Sequence, residues 1–476
     1  MDTDTSSEMS DERGRIPNLI KIGSVPVDTQ IDVETDVLEP VVSSQTFARF
    51  VLERKGFMHS FSSIVFGLKL NASALEGSLP ANIGVNSLVS KCSLKCGTTT
   101  ISECEDFNFL QGYKSMFIDN EVNYERETYT TSRIMNHSMI LKLDQNAQDL
   151  NNASYYGLSN HEEGGFATAL GSFNGYDTRP NLENRNGNTP QFRISLADLF
   201  PFLRFNQLPL YMFNEQISIE LHFSPQTFVR TQLDSTETAN SGTPIEIDLT
   251  ELKLVSDYLF YDQDLMVRYQ NANQNMNFSF TDWRLNKRSL TSAQGQSKVV
   301  MNVGGAGRIV NKIVCGLFED GNGSKTDCSI LNVYTPKAPV MTGNNNELLT
   351  TNLRYNDTYI YPIDITSPTI QFHNVVRAEG NIPYVTREEY SLEGRGAITP
   401  LEFSGYAQNS NASGLSGNFF WNAYKLPKNE RVNSRGIELE VQYGNMNGDV
   451  TSTHRTWVEL MKTATLSNGL LSCYFA

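Results

Sequence analysis

Strict alternation of apolar and polar residues constrains this chain more than any other feature. Across residues 216–224, Ile217, Ile219, Leu221 and Phe223 alternate with Ser218, Glu220 and His222, and successive side chains of a strand leave opposite faces. Residues 436–444 repeat the pattern, with Ile437, Leu439, Val441 and Tyr443 set against Glu438, Glu440 and Gln442. Each stretch predicts an antiparallel strand with one face on a core and the other in water. Further strands are expected over 47–52, 64–70, 88–96, 252–261, 308–318, 370–376 and 455–465. The main helical pattern runs from about 105 to 133, where Phe107, Leu110, Tyr113, Phe117 and Val122 recur near helical spacing, with a break at Asp119-Asn120.

A chain of 476 residues exceeds one ordinary core and divides into two or more domains. The expected division is a flexible acidic arm over 1–26, a first β lobe over 27–265 and a second over 266–476. The amide-rich stretch QDLMVRYQNANQNMN at 263–277 interrupts the strand pattern and serves as the expected hinge. Long polar loops are expected at 144–191, 231–244, 336–350 and 403–416, too long to be mere connections. No exact repeat links the halves. Both nonetheless combine short strands with long excursions, as two β-sandwiches side by side would.

The formal charge of −15, from 38 basic and 53 acidic residues, opposes a broad electrostatic grip on nucleic acid, which needs clustered Lys and Arg. Asp2, Asp4, Glu8, Asp11 and Glu12 make the first dozen residues acidic, without the apolar core of a secretion signal. No apolar run approaches the ~18 residues of a membrane helix, so a soluble protein without membrane insertion is expected. Six cysteines without a signal peptide suggest a reducing compartment in which thiols pack as small hydrophobes. Seven glycosylation sequons, at Asn71, Asn136, Asn152, Asn277, Asn322, Asn356 and Asn411, need a lumenal route to matter and stay unassigned.

Candidate chemical sites fail on spacing. His161-Glu162-Glu163-Gly164-Gly165 lacks the second His of a zinc helix and lies in a glycine-rich stretch. Cys92 and Cys96 on one strand face stand roughly 13 Å apart, too far for a disulfide or one zinc. They read as core residues, as do the nearby Cys104 and the unpaired Cys315, Cys328 and Cys473. Asp320-Gly-Asn-Gly-Ser-Lys opens like a calcium loop but has Lys325 where glycine is required and no closing glutamate. It reads as a hairpin turn, and it also fails as a phosphate loop. Gly304-Gly305-Ala306-Gly307 precedes no helix that could hold a phosphate and predicts a turn. Asp257, Asp262 and Asp264 crowd a strand end, where carboxylates commonly cap without binding a cation. No catalytic, cofactor-binding or metal-binding residue is therefore assigned, and no cofactor is expected.

Three stretches together resemble the double jelly-roll major capsid proteins of double-stranded DNA viruses, especially those of virophages and Polinton-like viruses. The first runs from Gly56-Phe57-Met58-His59-Ser60 through Leu79-Pro80-Ala81-Asn82-Ile83-Gly84-Val85-Asn86-Ser87-Leu88 to Asp106-Phe107-Asn108, Ser115-Met116-Phe117-Ile118, Asn120-Glu121 and Tyr124-Glu125-Arg126-Glu127. The second links Ile194-Ser195-Leu196 through Leu208-Pro209-Leu210 to Phe223, and the third is LKLVSDYLFYD at 252–262. Gly417-Asn418-Phe419-Phe420-Trp421-Asn422 and Asn433-Ser434-Arg435-Gly436-Ile437-Glu438-Leu439 are similar in style within the second half.

The resemblance implies an all-β protein of two consecutive eight-stranded jelly rolls with short helices and long surface loops. It implies a homotrimer forming a pseudo-hexagonal capsomer of an icosahedral virion capsid, assembled in the infected host cell. Its expected partners are copies of itself, neighbouring trimers, and penton and minor capsid proteins, with no sequence-specific nucleic-acid binding. The loop 144–191 would point outward or between subunits. The acidic arm would lie at the base and contact minor capsid proteins or neighbouring capsomers. Two alternatives are a secreted-type double jelly-roll hydrolase or glycan-binding protein, which the missing signal peptide and unpaired carboxylates disfavour, and a smaller vertex or minor capsid component.

Overall fold

The computed structural model describes residues 31–70, 83–117, 191–204, 207–224, 245–290, 298–319, 350–365, 368–380, 384–386, 395–397, 421–427, 430–442 and 452–476. Its first half contains β1 (Asp32–Leu38), β2 (Val42–Ser43), β3 (Phe47–Val51), β4 (Phe57–Met58), β5 (Ser63–Leu70) and β6 (Val89–Cys96). These are followed by β7 (Thr99–Glu105), helix α1 (Phe107–Lys114), β8 (Gln191–Ser195), the short helix α2 (Leu196–Leu199), β9 (Leu208–Pro209), β10 (Ile217–Phe223) and β11 (Ile245–Phe260). The second half contains β12 (Asn275–Leu290), β13 (Val299–Gly304), β14 (Val310–Glu319), β15 (Thr350–Tyr355), β16 (Thr358–Tyr359) and the small hairpin β17 (Tyr384–Thr386) with β18 (Arg395–Ala397). It closes with β19 (Asn422–Lys425), β20 (Ile437–Gln442), β21 (Ser452–Ser467) and β22 (Leu470–Phe475).

Each half is an eight-stranded jelly roll, and strand order makes this plain. The principal strands of the first lobe are β1, β3, β5, β6, β7, β8, β10 and β11. One sheet runs β1-β11-β5-β8 and the other β3-β10-β6-β7. In the second lobe the sheets run β12-β21-β14-β19 and β13-β20-β15-β16. Numbered along the chain, both lobes therefore pair first-eighth-third-sixth and second-seventh-fourth-fifth, the double Greek key of a jelly roll. Pairing along these sheets is antiparallel.

The alternating segments behave as their patterns demand, with one exception on each. In β10, Ile217, Ile219, Leu221 and Phe223 are buried, but so is Ser218. In β20, Glu440 is buried as well, held by Lys298 and by the Tyr359 hydroxyl at 2.8 Å. A carboxylate can leave water when paired in this way.

Two expected elements differ. Residues 370–376 do not form a strand; helix α4 (Pro368–Glu379) occupies them. Pro368 opens the first turn, where its missing N–H costs nothing, and Gln371, Val375 and Ala378 form a buried face at helical spacing. The β-branched pair Val375-Val376 imitates a strand locally. The expected hinge at 263–277 is helix α3 (Gln263–Ala272) followed by the start of β12. Asp262 caps α3 by accepting from the Asp264 N–H, and Tyr269 is buried edge-on to Phe57, ring centroids 5.3 Å apart. The crossing is thus a packed helix. Of the expected 105–133 helix, α1 (Phe107–Lys114) and a tight turn at Ser115–Phe117 are present, and 118–133 lies outside the described residues.

Register places the long connections together. Leu70 pairs with Ile245, Gly67 with Gln191 and Phe223 with Val89, so the strand ends bordering 71–82, 118–190 and 225–244 meet at one end of the first lobe. In the second lobe Leu290 and Glu319 both pair with Ser452, while Thr350 pairs with Gln442. The strand ends bordering 291–297, 320–349 and 443–451 therefore also share one end. The expected loops at 144–191, 231–244, 336–350 and 403–416 fall outside the described residues, except that Gln191 and Thr350 open strands.

Gly56 of the first resemblance stretch has a physical explanation. It has φ +53°, and a Cβ there would sit 2.7 Å from the Leu259 carbonyl oxygen. Gly304, Gly305 and Gly307 all have positive φ and form the turn expected between β13 and β14, a conformation that glycine adopts without steric penalty. No helix among the described residues is long and apolar enough to cross a membrane.

His454 is buried on β21, its Nδ1 3.2 Å from the Thr456 hydroxyl, and burial pushes its pKa down from 6.5 to about 3. The unfolded chain takes a proton below pH 6.5 that the native state refuses, so this stability is complete above pH 6.5 and lost as pH falls. Between pH 6.5 and about 5, before carboxylates titrate, unfolding free energy should drop by about 1 kcal/mol per pH unit. His454→Gln should flatten that slope in denaturant titrations; an unchanged slope would assign it to other groups.

Candidate functional site: the seam between the lobes

The second lobe's β12-β21-β14-β19 sheet is apolar on both faces. Ile313, Cys315, Tyr424 and Val458 join the core between that lobe's own sheets, while their neighbours Val314, Ala423 and Trp457 join the core of the first lobe. Successive side chains thus enter opposite cores, and these strands are interior layers. The first lobe covers the sheet with β7 and α1.

Aromatic rings fill this seam. Phe109 of α1 meets Phe318 edge-on at 5.0 Å, Tyr113 meets Trp421 at 5.2 Å, and Trp421 lies 6.0 Å from Trp457. Both tryptophans are fully buried. The Trp457 indole N–H donates to the Glu105 carbonyl at 3.1 Å, which satisfies its one polar atom.

Charged groups fix the register of one lobe on the other. Asp106, in the left-handed conformation at the start of α1, accepts from Lys287 at 2.8 Å and from Arg455 Nε at 2.9 Å. The Arg455 guanidinium also lies 4.0 Å from the centre of the Phe109 ring, a cation–π contact. Midway along the seam, Asp282 and Lys462 form a buried pair at 2.9 Å, with side chains 5% and 6% exposed. Ser102 of β7 donates to the same carboxylate at 2.8 Å. Burial raises the Asp282 pKa, against the lowering effects of Lys462 and Ser102. At the other end Thr99 donates to the Leu471 carbonyl at 3.4 Å, and Asn214 Nδ2 to the Asn468 carbonyl at 2.8 Å.

These contacts orient the lobes. From Thr99 to Asp106, β7 passes in turn the β21–β22 turn region, Asp282 and Lys287. It therefore runs in the same direction as β12, so the long-connection ends of both lobes lie on the same side.

The sequence-derived site candidates are not brought together. Asp257 accepts from the Thr35 hydroxyl at 2.7 Å on the sheet edge, and Asp262 caps α3. Among the described residues no group of three His, Cys, Asp or Glu could hold a metal ion. His161 to Gly165, Asp320 to Lys325 and Cys328 lie outside them. Cys92 and Cys104 are direct cross-strand partners, a proximity invisible to spacing along one strand. Cys92, Cys96, Cys104 and Cys315 are buried free thiols, and burial raises the pKa of each. A cavity of about 170 Å³ beside His454 has walls already engaged. Asn286 donates to the Val303 carbonyl, Arg288 to the Val300 carbonyl and Asn302 to the Arg435 carbonyl.

Sequence reading missed Asp282, Lys462, Arg455 and Trp457 as a unit. The available signal was charge directly beside apolar residues in the strands now seen as β12 and β21, at Asp282-Trp283 and Met461-Lys462.

Comparison with solved structures agrees with the topology. The fold is similar to the PBCV-1 virus capsid model, at 11% identity and TM-score 0.54, covering 95% of this chain and 99% of that one. It is similar also to the PBCV-1 protein fitted into a reconstruction of the virophage Sputnik, at 9% identity and TM-score 0.53, covering 96% and 100%. The Faustovirus major capsid protein follows at 10% identity and TM-score 0.50, covering 94% and 92%. No family model matches the sequence, and no curated protein matches it significantly. The likeness lies in the backbone, and it spans both jelly rolls.

Removing one partner of the buried Asp282–Lys462 pair should cost about 3–5 kcal/mol, because the other charge is stranded. Asp282→Leu with Lys462→Met should lose far less than the two single losses combined. Chemical denaturation of all four chains reads this coupling; additive losses would show that the two side chains act independently.

Proposed function

We propose that the chain is a major capsid protein: a structural subunit that trimerises into a pseudo-hexagonal capsomer and tiles an icosahedral shell of a double-stranded DNA virus. One observation carries this reading. Two sandwiches of identical strand order are fused side by side through a buried seam, with like ends together. A chain so duplicated lets three copies place six equivalent sandwiches around one axis, filling a hexagonal position with a threefold object. The full-length likeness to capsid structures supports the same reading.

Its work is packing, without a catalytic step, and its place is the virion capsid, assembled in the infected host cell. Its partners are copies of itself and neighbouring trimers, then penton and minor capsid proteins. The chain divides into an arm over 1–26, a first jelly roll over 27–265 and a second over 266–476, with the 144–191 excursion facing outward or between subunits. The acidic arm contacts minor capsid proteins or neighbouring capsomers and leaves the genome alone, since its charge repels phosphate.

Light scattering of purified protein should give three copies of the 53.4 kDa chain, about 160 kDa, with a hexagonal outline by negative-stain microscopy. A stable monomer that never assembles would sink the proposal. Deleting residues 2–15 should leave the trimer intact and impair particle assembly; particles formed at normal yield would remove the role given to the arm.

A further inference from the structure

Within the chain, the lobes join through one specific pairing of parts. Strand β7, fifth in the first jelly roll and the outer edge of its sheet, lies along β12, first in the second jelly roll. Because both lobes share one strand order, each part has a counterpart. The fifth strand of the second lobe is β16, at the edge of the sheet β13-β20-β15-β16, and the first strand of the first lobe is β1, at the edge beside β11.

Exposed apolar side chains lie on β1 itself and on β16 with the segment that follows it. Among the described residues, nine of the fourteen large exposed hydrophobic side chains lie in just two stretches, 31–42 and 359–370. In the first, Val33 and Val37 are 61% and 60% exposed; in the second, Ile363 is 76% exposed, with Tyr359 and Ile360 beside it. Concentrations of this kind mark contact surfaces.

Strand β1 is arranged to present its valines. Its opposite side carries Glu34 and Asp36, and Lys55 draws both toward the lobe's own surface at 2.6 and 2.5 Å while lying over the Tyr258 ring. Thr35, between the valines, is tied to Asp257. Glu34 and Asp36 are therefore matched within the chain, and the other side of β1 presents Val33 and Val37 with Thr35 between them. Among the described residues β1 pairs only with β11, and an edge strand left open is an aggregation hazard unless something covers it.

We propose that the occupant is a second copy of this chain: the face carrying Tyr359, Ile360 and Ile363 of one subunit docks on the 31–42 face of the next, repeating between chains the pairing that β7 and β12 make within one. The contact is head-to-tail, so it leaves a free face on each partner and closes only as a ring. This inference rests on the capsomer reading above and names the two surfaces that build the ring.

The test uses full-length chains carrying Val33→Asp with Val37→Asp, or Ile360→Asp with Ile363→Asp, all at exposed positions, with thermal melting to verify folding. Each variant alone should shift from about 160 kDa to about 53 kDa by light scattering. Mixed in equal amounts, the two retain one intact interface and should form a dimer of about 107 kDa that cannot close into a ring. The milder pair Val33→Thr and Val37→Thr should weaken association so that the trimer dissociates on dilution. If a folded single-face variant stays at 160 kDa, or the mixture gives no dimer, these surfaces are not the paired interface even though the capsomer reading stands. If the unaltered chain is itself a monomer, the capsomer reading fails first.

Discussion

A β-sheet buried on both faces governs this molecule. The strands β12, β21, β14 and β19 send Ile313, Cys315 and Val458 into one core and Val314, Ala423 and Trp457 into another. A sheet in that position cannot tolerate a solvated side, so the second lobe has no stable surface there until the first lobe covers it. The two jelly rolls are consequently one structural unit, with Trp421 and Trp457 at their junction.

Polar groups at the junction set alignment where apolar packing alone could slide. Hydrophobic contact is non-directional, whereas Asp106 between Lys287 and Arg455, and Asp282 between Ser102 and Lys462, accept only one register. Charged residues withdrawn from water are weak sources of net stability but effective at excluding alternatives. Here they hold two lobes with their like ends together, the geometry that a repeating assembly requires.

The same reasoning links fold to function. A jelly roll offers edges and faces but no necessary catalytic site, and fold by itself never dictates chemistry. What this chain adds is duplication, with a buried internal contact whose counterparts, among the described residues, expose apolar side chains. Asp257 is hydrogen-bonded, Asp262 caps α3 and four of the candidate thiols are buried, while the exposed apolar side chains concentrate in two stretches.

Period-two patterning by itself determined that the chain is a β protein of two halves, because side-chain alternation is local and survives without any partner. It located β3, β5, β6, β10, β14, β20 and β21 to within a few residues, and the motifs from Gly56 to Glu127 pointed to the architecture. Tertiary structure decided the rest. Residues 370–376 became a helix because their buried face recurs every three to four residues once α4 lies against the sheet. The amides of 263–277 became helix and strand because Asp262 caps α3 and Tyr269 is packed beside Phe57. Cys92 met Cys104, and Asp282 met Lys462, through strand pairings that spacing along the chain does not encode. Local pattern fixes which way a side chain points; only the closed fold determines what it meets there.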